Sequence, residues 1–426
     1  MADIISPVRG MNDILPDQEP VWAAVEEAAA AIFAAYGYRR IRVPALERTE
    51  LFRRSIGETT DIVEKEMYSF EDRNGDSLTL RPEATAGIVR AGLSHGLFHN
   101  QQQKLWCAGP MFRYEKPQKA RYRQFHQLSV EAIGYAGPEV DAELIAISAR
   151  LWGRLGLTSP RLELNSLGTL ESRARYREAL VRYFSPARAA LDEDSLRRLE
   201  RNPLRILDSK NPALTELIAG APAFGEYLDP ESEAHFGRVQ ELLGDTGIDF
   251  VLNPRLVRGL DYYTRTVFEW VTDRLGAQGA ICSGGRYDGL VAQLGGRDTP
   301  ASGWALGIER VVELIEAEGR EVPAPAPHAY LVMAGERARR EGFGLAETLR
   351  NRVAGLRLSM DCVAAGFKSQ LRRADRSGAR LALILGEDEL EAGRVSVKAL
   401  REEKPQVTID VEALVAELAR SVEDST

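Results

Sequence analysis

The chain has 426 residues, 44% hydrophobic and 28% charged, with 63 acidic against 55 basic side chains and a formal net charge of -8. This composition excludes a disordered, collagen-like or single small-module chain, and at roughly 100 to 200 residues per domain it predicts two to four domains. The negative balance argues against indiscriminate nucleic-acid binding by the whole surface; no stretch approaches the ~20 apolar residues of a bilayer span, and MADIISPVRGMNDILP lacks a basic region before an apolar run, so the chain reads as soluble and cytoplasmic. Cys107, Cys282 and Cys362 are widely separated and no His/Cys cluster has metal-ligand spacing, so neither a structural metal nor a disulfide framework is expected.

Residues 18 to 36 carry apolar side chains at helical spacing up to Gly37, which predicts a long amphipathic helix. In YRRIRVPALE, Ile41 and Val43 alternate with Arg40 and Arg42 before Pro44, as in an edge strand. Strands are predicted in SLTLRPE (77 to 83) and KLWCAGPMFRYE (104 to 115); the latter and QFHQLSVEAIG pair as antiparallel strands across a long basic loop. Asp141 to Leu155 is predicted helical and RLELNSLG a strand. From about Glu171 to Thr246 charged helical segments with two Asn-Pro breaks suggest an inserted helical subdomain. Strands resume in IDFVLNPRLVRGLDYYTRTVFEWVT, followed by the Gly-rich SGGRYDGLVAQLGG and a strand, glycine and helix in GWALGIERVVELIEA. EVPAPAPH alternates proline with small residues and reads as a stiff extended linker. Beyond it AYLVMAG, a helix around Glu341 to Val353, LRLSMDC, a helix around Ser369 to Ser377, RLALILG, RVSVKAL and QVTIDV form a compact α/β module.

The densest chemistry lies in MFRYEKPQKARYRQFHQ. Between Phe112 and Gln124 five basic residues (Arg113, Lys116, Lys119, Arg121, Arg123) meet one acid, Glu115, a local charge of +4. Arginines interleaved with Tyr114, Tyr122 and Phe125 suit phosphate held by planar forks and a base stacked on a ring, although a solvated basic loop has the same charge. Strand alternation is read as turning Gln124 and Gln127 inward, with Phe125 and Leu128 opposed. In RGLDYYTRTVFEW, Arg258 precedes Tyr262 and Tyr263; one of the two should face a site if the segment is extended, and a core tyrosine pair is the plainer alternative. The glycines of GGRYDGL and GWALGIER permit close backbone approach or merely make turns. Arg310 sits one turn into its helix, within reach of a phosphate or a carboxylate, and Glu83 and Glu131 are lone carboxylates on strands.

The order of these segments is more specific than any of them alone. RVPALE, LRPEATAG, GPMFRYEKPQKARYRQFHQLSVE, RGLDYYTRTVFEW, GGRYDGL and GWALGIER, with NPLRILDSKNP and the C-terminal module, resemble the histidyl-tRNA synthetase family over almost the whole chain. The general class II synthetase features recur in Pro44, Phe112 to Glu115, and Gly307 to Arg310. The resemblance implies an α+β class II catalytic domain, an antiparallel sheet flanked by helices, over 1–170 and 246–322, with a helical insertion at 171–245. It further implies a Pro-rich linker at 323–327 and a mixed-sheet α/β anticodon-binding domain at 328–426. The implied activity is formation of histidyl-adenylate from L-histidine and ATP with Mg2+, then transfer of histidine to tRNA(His), by a cytoplasmic homodimer without a structural metal.

By the same resemblance Arg113 would hold the ATP α-phosphate, Glu115 and Phe125 the adenine and Arg310 the γ-phosphate, with Arg121 also in the ATP site. Arg258 would lie beside the α-phosphate as a fixed cation where charge accumulates, making Arg258 and Arg113 the catalytic pair. Glu83, Thr85 and Gln127 would bind the substrate α-amino group. Glu131 and Tyr263, with Tyr262 and Tyr287, would face an imidazole whose two nitrogens need polar partners on both sides. Lys116, Gln118, Lys119 and Arg123 would meet the tRNA acceptor stem, and residues 337 to 380, with eleven basic and four acidic side chains (+7), suit RNA phosphates.

The chain departs from the family pattern at Lys116, where arginine is frequent, and at Ala120 and Ala84, where glycine is usual; Lys116 keeps charge but not the bidentate fork. The regulatory subunit of ATP phosphoribosyltransferase is a non-catalytic rival, but such proteins lack the C-terminal module and depart at the catalytic arginine. Class II synthetases for threonine, proline or glycine share the anticodon-domain type, and RGLDYYTRT with the Glu131/Tyr263 pair disfavours them.

Overall fold

The computed structural model describes residues 4–424 except 58, 59, 208, 210, 259, 261, 277, 278 and 364. Gly259 and Asp261 of RGLDYY, and Asp208 and Lys210 of NPLRILDSKNP, thus lie outside the described residues. The chain divides into two compact units, Met1–Val322 and Pro323–Thr426.

The first unit runs through α1 (Glu19–Ala35), β1 (Arg39–Arg40), β2 (Leu46–Arg48), α2 (Thr49–Ile56), β3 (Tyr68–Glu71), β4 (Ser77–Leu80) and α3 (Thr85–Ser94). The hairpin β5 (Gln103–Phe112) and β6 (Gln124–Ile133), α4 (Pro138–Arg154) and β7 (Arg161–Ser166) follow. Helices α5 (Leu170–Phe184), α6 (Glu193–Arg201), α7 (Thr215–Ala219) and α8 (Pro230–Asp245) lead to β8 (Phe250–Leu252) and β9 (Thr264–Val271). β10 (Ala280–Arg286), α9 (Leu290–Gln293), β11 (Ala301–Gly307) and α10 (Ile308–Ala317) complete it.

An eight-stranded sheet, ordered β1-β5-β6-β11-β10-β9-β7-β8, organises this unit. Its inner pairs are antiparallel, and only its margins, β1 with β5 and β7 with β8, are parallel. The two faces differ in chemistry because side chains alternate along each strand. On β6, Leu128, Val130 and Ala132 join Phe33 of α1, Leu144 of α4, Val239 of α8 and Val311 of α10 in the main apolar core. The opposite face of β6 presents Gln127, Ser129 and Glu131, all buried. Burying polar groups in a row costs free energy unless they are partnered, so this face is the place to look for a site.

The segment expected as a strand over Ile41 and Val43 shortens to β1. After Ile41 N–H bonds Trp106 O at 2.8 Å, the Val43 carbonyl is taken at 2.8 Å by the buried Arg81 guanidinium instead of a neighbouring strand. A small sheet ordered β2-β4-β3 was not expected, because Tyr68–Glu71 and Leu46–Arg48 are too short to show alternation.

The helical region from α5 to Tyr227 has its own core, including Tyr176, Phe184, Leu204 and Phe224. Its last helix, α8, packs differently: Val239 and Leu243 enter the core of the large sheet. His235 of α8 bonds Asp141 of α4 at 2.7 Å, and Asp141 also receives the fully buried Arg286 guanidinium at 2.8 Å.

The second unit contains β12 (Ala329–Met333), α11 (Glu336–Arg352), β13 (Leu358–Met360), α12 (Phe367–Arg376), β14 (Leu381–Leu385), α13 (Glu387–Ala392), β15 (Arg394–Ala399), β16 (Val407–Asp410) and α14 (Val411–Glu423). Its sheet, β13-β12-β14-β15-β16, is parallel in the first three strands and antiparallel in the last two. Leu414 and Leu418 bring α14, which the sequence reading omitted, into its core.

Candidate active site

Two adjoining cavities open on the polar face of the large sheet. One is lined by residues including Arg113, Glu115, Arg121, Phe125, Gln127, Ser283 and Arg310. The other is lined by residues including Glu83, Thr85, Gln127, Glu131, Arg258, Tyr262, Tyr263 and Tyr287. Arg113, Gln127, Ser283 and Ala305 border both, so a ligand could extend from one into the other past Arg113.

The enclosed cavity centres on Glu131, which is 1% exposed. Thr85 Oγ1 donates to Glu131 Oε1 at 2.7 Å, and the Tyr287 hydroxyl donates to its Oε2. Burial pushes the Glu131 carboxyl up to about 8, against those two hydrogen bonds, which favour its charged form. Gly303 on β11 stands opposite Glu131, and a methyl group there would overlap the carboxylate. That glycine therefore makes room for a side chain, not for a ligand's direct approach to the backbone.

Glu83 is not on a strand as expected, because β4 ends at Leu80 and not at Glu83; it takes the N-terminus of α3, its two oxygens accepting from Thr85 N–H at 2.7 Å and Ala86 N–H at 2.9 Å. It thus serves as the helix cap while retaining lone pairs that face the cavity. Burial raises its carboxyl above the ordinary range. Both Tyr262 and Tyr263 line the cavity, with ring centroids 4.7 Å apart. The expectation that only one would do so assumed an extended segment; here a turn precedes β9, so strand alternation does not separate them. Burial holds the hydroxyls of Tyr262, Tyr263 and Tyr287 protonated by raising them further above the tyrosine range.

The second cavity is cationic. Arg113 Nε donates to Pro82 O at 2.9 Å, and its guanidinium lies 5.2 Å from the Phe125 ring centroid. Burial lowers Arg113 while Glu66 and Glu83 oppose the shift; a guanidinium remains charged regardless. Arg121 pairs with Glu115. Glu66, which the sequence reading missed, is raised by burial and lowered by Arg113 and Arg121, and its carbonyl takes the Tyr114 N–H at 2.7 Å. Arg310 falls in the first turn of α10. The pleat of β6 corrects the expected facing: Phe125 and Gln127 share the site face, whereas Gln124 lines a separate cleft with His126 and Trp22. Positions 124 and 127 differ by an odd number, so they cannot share a face of a regular strand.

Between β5 and β6 the loop presents exposed Lys116, Gln118 and Lys119. Lys119 pairs with Glu313, Gln118 bridges Arg121, and Arg123 stacks 3.9 Å from the Tyr114 ring centroid. Ala120 adopts a left-handed φ of 56°. In the second unit part of the 337–380 charge is internally neutralised: Arg337, Arg350, Arg352 and Arg373 pair with Glu341, Glu347, Glu412 and Asp361. Arg340, Lys368, Arg372, Arg376 and Arg380 are exposed. Among the described residues no group of three or more His, Cys, Asp or Glu side chains could hold a metal ion, and no helix is long and apolar enough to cross a membrane.

Comparison with known proteins extends this geometry. Residues 10–311 match the histidyl-tRNA synthetase family and residues 328–421 an anticodon binding domain. The chain is 58% identical over 414 residues to a histidine–tRNA ligase of Halorhodospira halophila, covering 97% of each. It is 57% identical over 420 residues to one of Alkalilimnicola ehrlichii, covering 99% of this chain and 97% of the relative. The crystal structure of apo S. aureus histidyl-tRNA synthetase matches with a TM-score of 0.82 at 36% identity, over 98% of this chain and 100% of the other.

Proposed function

The chain belongs to the histidyl-tRNA synthetase family and has the activity of a histidine–tRNA ligase; from that premise we propose how its residues divide the work. The observation that carries the proposal is the buried Glu131, held between Thr85 and Tyr287 in a cavity that opens past Arg113 into an arginine-lined one. Histidine occupies the first cavity and ATP the second.

The imidazole lies against Glu131 and Tyr263, with Tyr262 and Tyr287 completing the walls. An aliphatic side chain there would leave those buried groups unpaired, which is the physical basis of rejection. Glu83, Thr85 and Gln127 take the α-amino group, and the Gln127 Oε1, buried without a partner among the described residues, is an acceptor suited to an ammonium donor. Phe125 stacks on adenine with Glu115 at its edge, Arg121 and Arg310 neutralise the phosphate tail, and Arg113 holds the α-phosphate. Histidine's carboxylate oxygen attacks the α-phosphorus and pyrophosphate leaves; Arg258 meets the charge that builds on the phosphoryl oxygens, so its interaction is worth most in the transition state. The ribose hydroxyl at the tRNA terminus then attacks the adenylate carbonyl and AMP departs.

Mg2+ fits this site as a companion of ATP. The phosphates and water would supply most of its ligands, as suits an ion that dehydrates reluctantly. Bound there it offsets phosphate charge. Lys116, Gln118, Lys119 and Arg123 face the acceptor stem, and the exposed basic side chains of 328–426 meet tRNA phosphates near the anticodon. The proposed domains are 1–170 with 246–322 for catalysis, 171–245 as the insertion, of which α8 docks on the catalytic sheet, and 323–327 as linker. We further propose a homodimer working in the cytoplasm, a reading supported by the family resemblance. Charging of tRNA(His) with labelled histidine by the full chain tests the function; accumulation of adenylate without charged tRNA would refute the second step.

A further inference from the structure

Arg258 is fixed by two residues on adjacent strands. Glu269 of β9 and Ser283 of β10 are direct partners in the antiparallel register. Arg258 Nη1 donates to Glu269 Oε1 at 2.9 Å and Nη2 donates to Ser283 Oγ at 2.6 Å. The same guanidinium lies 5.5 Å from the Tyr263 ring centroid. Ser283 borders both cavities, so this attachment stands at the junction where the two substrates meet. Arg258 Nε is buried without a partner among the described residues, which leaves an N–H uncommitted by the protein.

We propose that Glu269 and Ser283 form a positioning pair that presents Arg258 to the α-phosphate. The inference rests on the placement of Arg258 beside that phosphate given above. One anchor would locate the guanidinium but let its plane turn; anchors on both terminal nitrogens fix the plane as well, and a planar donor fork acts only in the right orientation. A cation already in place stabilises developing charge without reorganising during the reaction. Burial disfavours the cation, and the ion pair with Glu269 opposes that, so Arg258 stays charged. Ser283 borders both cavities, but its hydroxyl and the Glu269 carboxylate are engaged with the guanidinium and act through Arg258.

A purely structural cross-strand pair would affect melting and leave turnover alone, so the test separates the two. In ATP–pyrophosphate exchange with full-length protein, Ser283→Ala should lower kcat about 10-fold, the loss of one hydrogen bond to a charged group, with KM for histidine and ATP within about 3-fold. Ser283→Thr, which keeps the hydroxyl, should restore kcat to within about 3-fold. Glu269→Gln keeps an acceptor and should lose less than Glu269→Ala. In an Arg258→Ala background Ser283→Ala should change the residual rate less than about 2-fold, because its effect passes through the missing side chain. Unchanged kcat in folded Ser283→Ala, or a full additional 10-fold loss on Arg258→Ala, would overturn the positioning role. If Ser283→Ala does not melt cooperatively, Glu269→Gln against Glu269→Ala decides on the same criteria. A small effect of Arg258→Ala itself would instead refute the placement of Arg258, which keeps the two failures distinct.

Discussion

Glu131→Gln separates what the proposed histidine pocket does for binding from what it costs in stability. The wild-type carboxyl is held up to about 8 by burial, against an ordinary value near 4.5. A carboxyl raised on folding stays protonated in the native state over a range in which the unfolded chain has lost its proton. Native stability therefore falls as pH rises from the unfolded value to the folded one. Between pH 5 and pH 8 this group should remove on the order of 3 kcal/mol from the wild type, and nothing from the glutamine variant. The Thr85 and Tyr287 hydroxyls can accept as well as donate, so the amide meets one with its oxygen and the other with its NH2, as the protonated carboxyl does with its O–H, and the offset between the two proteins at low pH should be at most about 1 kcal/mol. Ligand-free urea unfolding at pH 5, 6, 7 and 8 should show the variant gaining on the wild type throughout. In pyrophosphate exchange its KM for histidine should rise roughly 10- to 100-fold while that for ATP moves little. Parallel stability curves would refute the protonated carboxyl, and an unchanged histidine KM would remove Glu131 from the substrate pocket.

Arg258→Ala should slow adenylation roughly 10²- to 10³-fold with weaker effects on histidine affinity, measured by pyrophosphate exchange; a near-normal rate in folded protein would sink the assignment. A chain ending at Pro327 should still form adenylate but charge tRNA(His) far less well, with a shallower slope of log affinity against log salt in tRNA binding. Equal charging and an unchanged slope would show that 328–426 does not bind RNA. Ala120→Gly relieves a left-handed φ of 56° that a β-carbon disfavours, and should stabilise the chain by up to about 1 kcal/mol in urea unfolding; a net loss would mean that the Ala120 methyl packs better than its backbone is strained.

The long elements were legible in the sequence because their periodicity is long. The helix expected over 18 to 36 is α1, and the hairpin around the basic loop is β5 and β6, paired antiparallel from Gln103 with Ile133 to Phe112 with Gln124. Short elements were not: β2 and β3 have three and four residues, fewer than alternation needs to declare itself. Composition does not say where a helix packs, so α8 looked like the other charged helices of the insertion until Val239 and Leu243 were seen in the main core. In the site, Arg113, Glu131 and Arg258 could be singled out by residue type and motif. Glu66, Glu269 and Ser283 could not, since Glu66 ends a short helical turn, the other two are ordinary strand residues, and the partner of each is remote in sequence or lies across a strand pair. The row Gln127, Ser129, Glu131 was the available signal: polar positions alternating with the apolar Leu128, Val130 and Ala132, all on one buried face.

If the enclosed cavity selects histidine for activation by ATP, ATP–pyrophosphate exchange run separately with each amino acid will show it. Exchange should depend on histidine, with threonine, proline, glycine and the aliphatic amino acids near background. Exchange supported equally by one of those, or none with histidine in a folded, tRNA-free preparation containing Mg2+, would contradict the account.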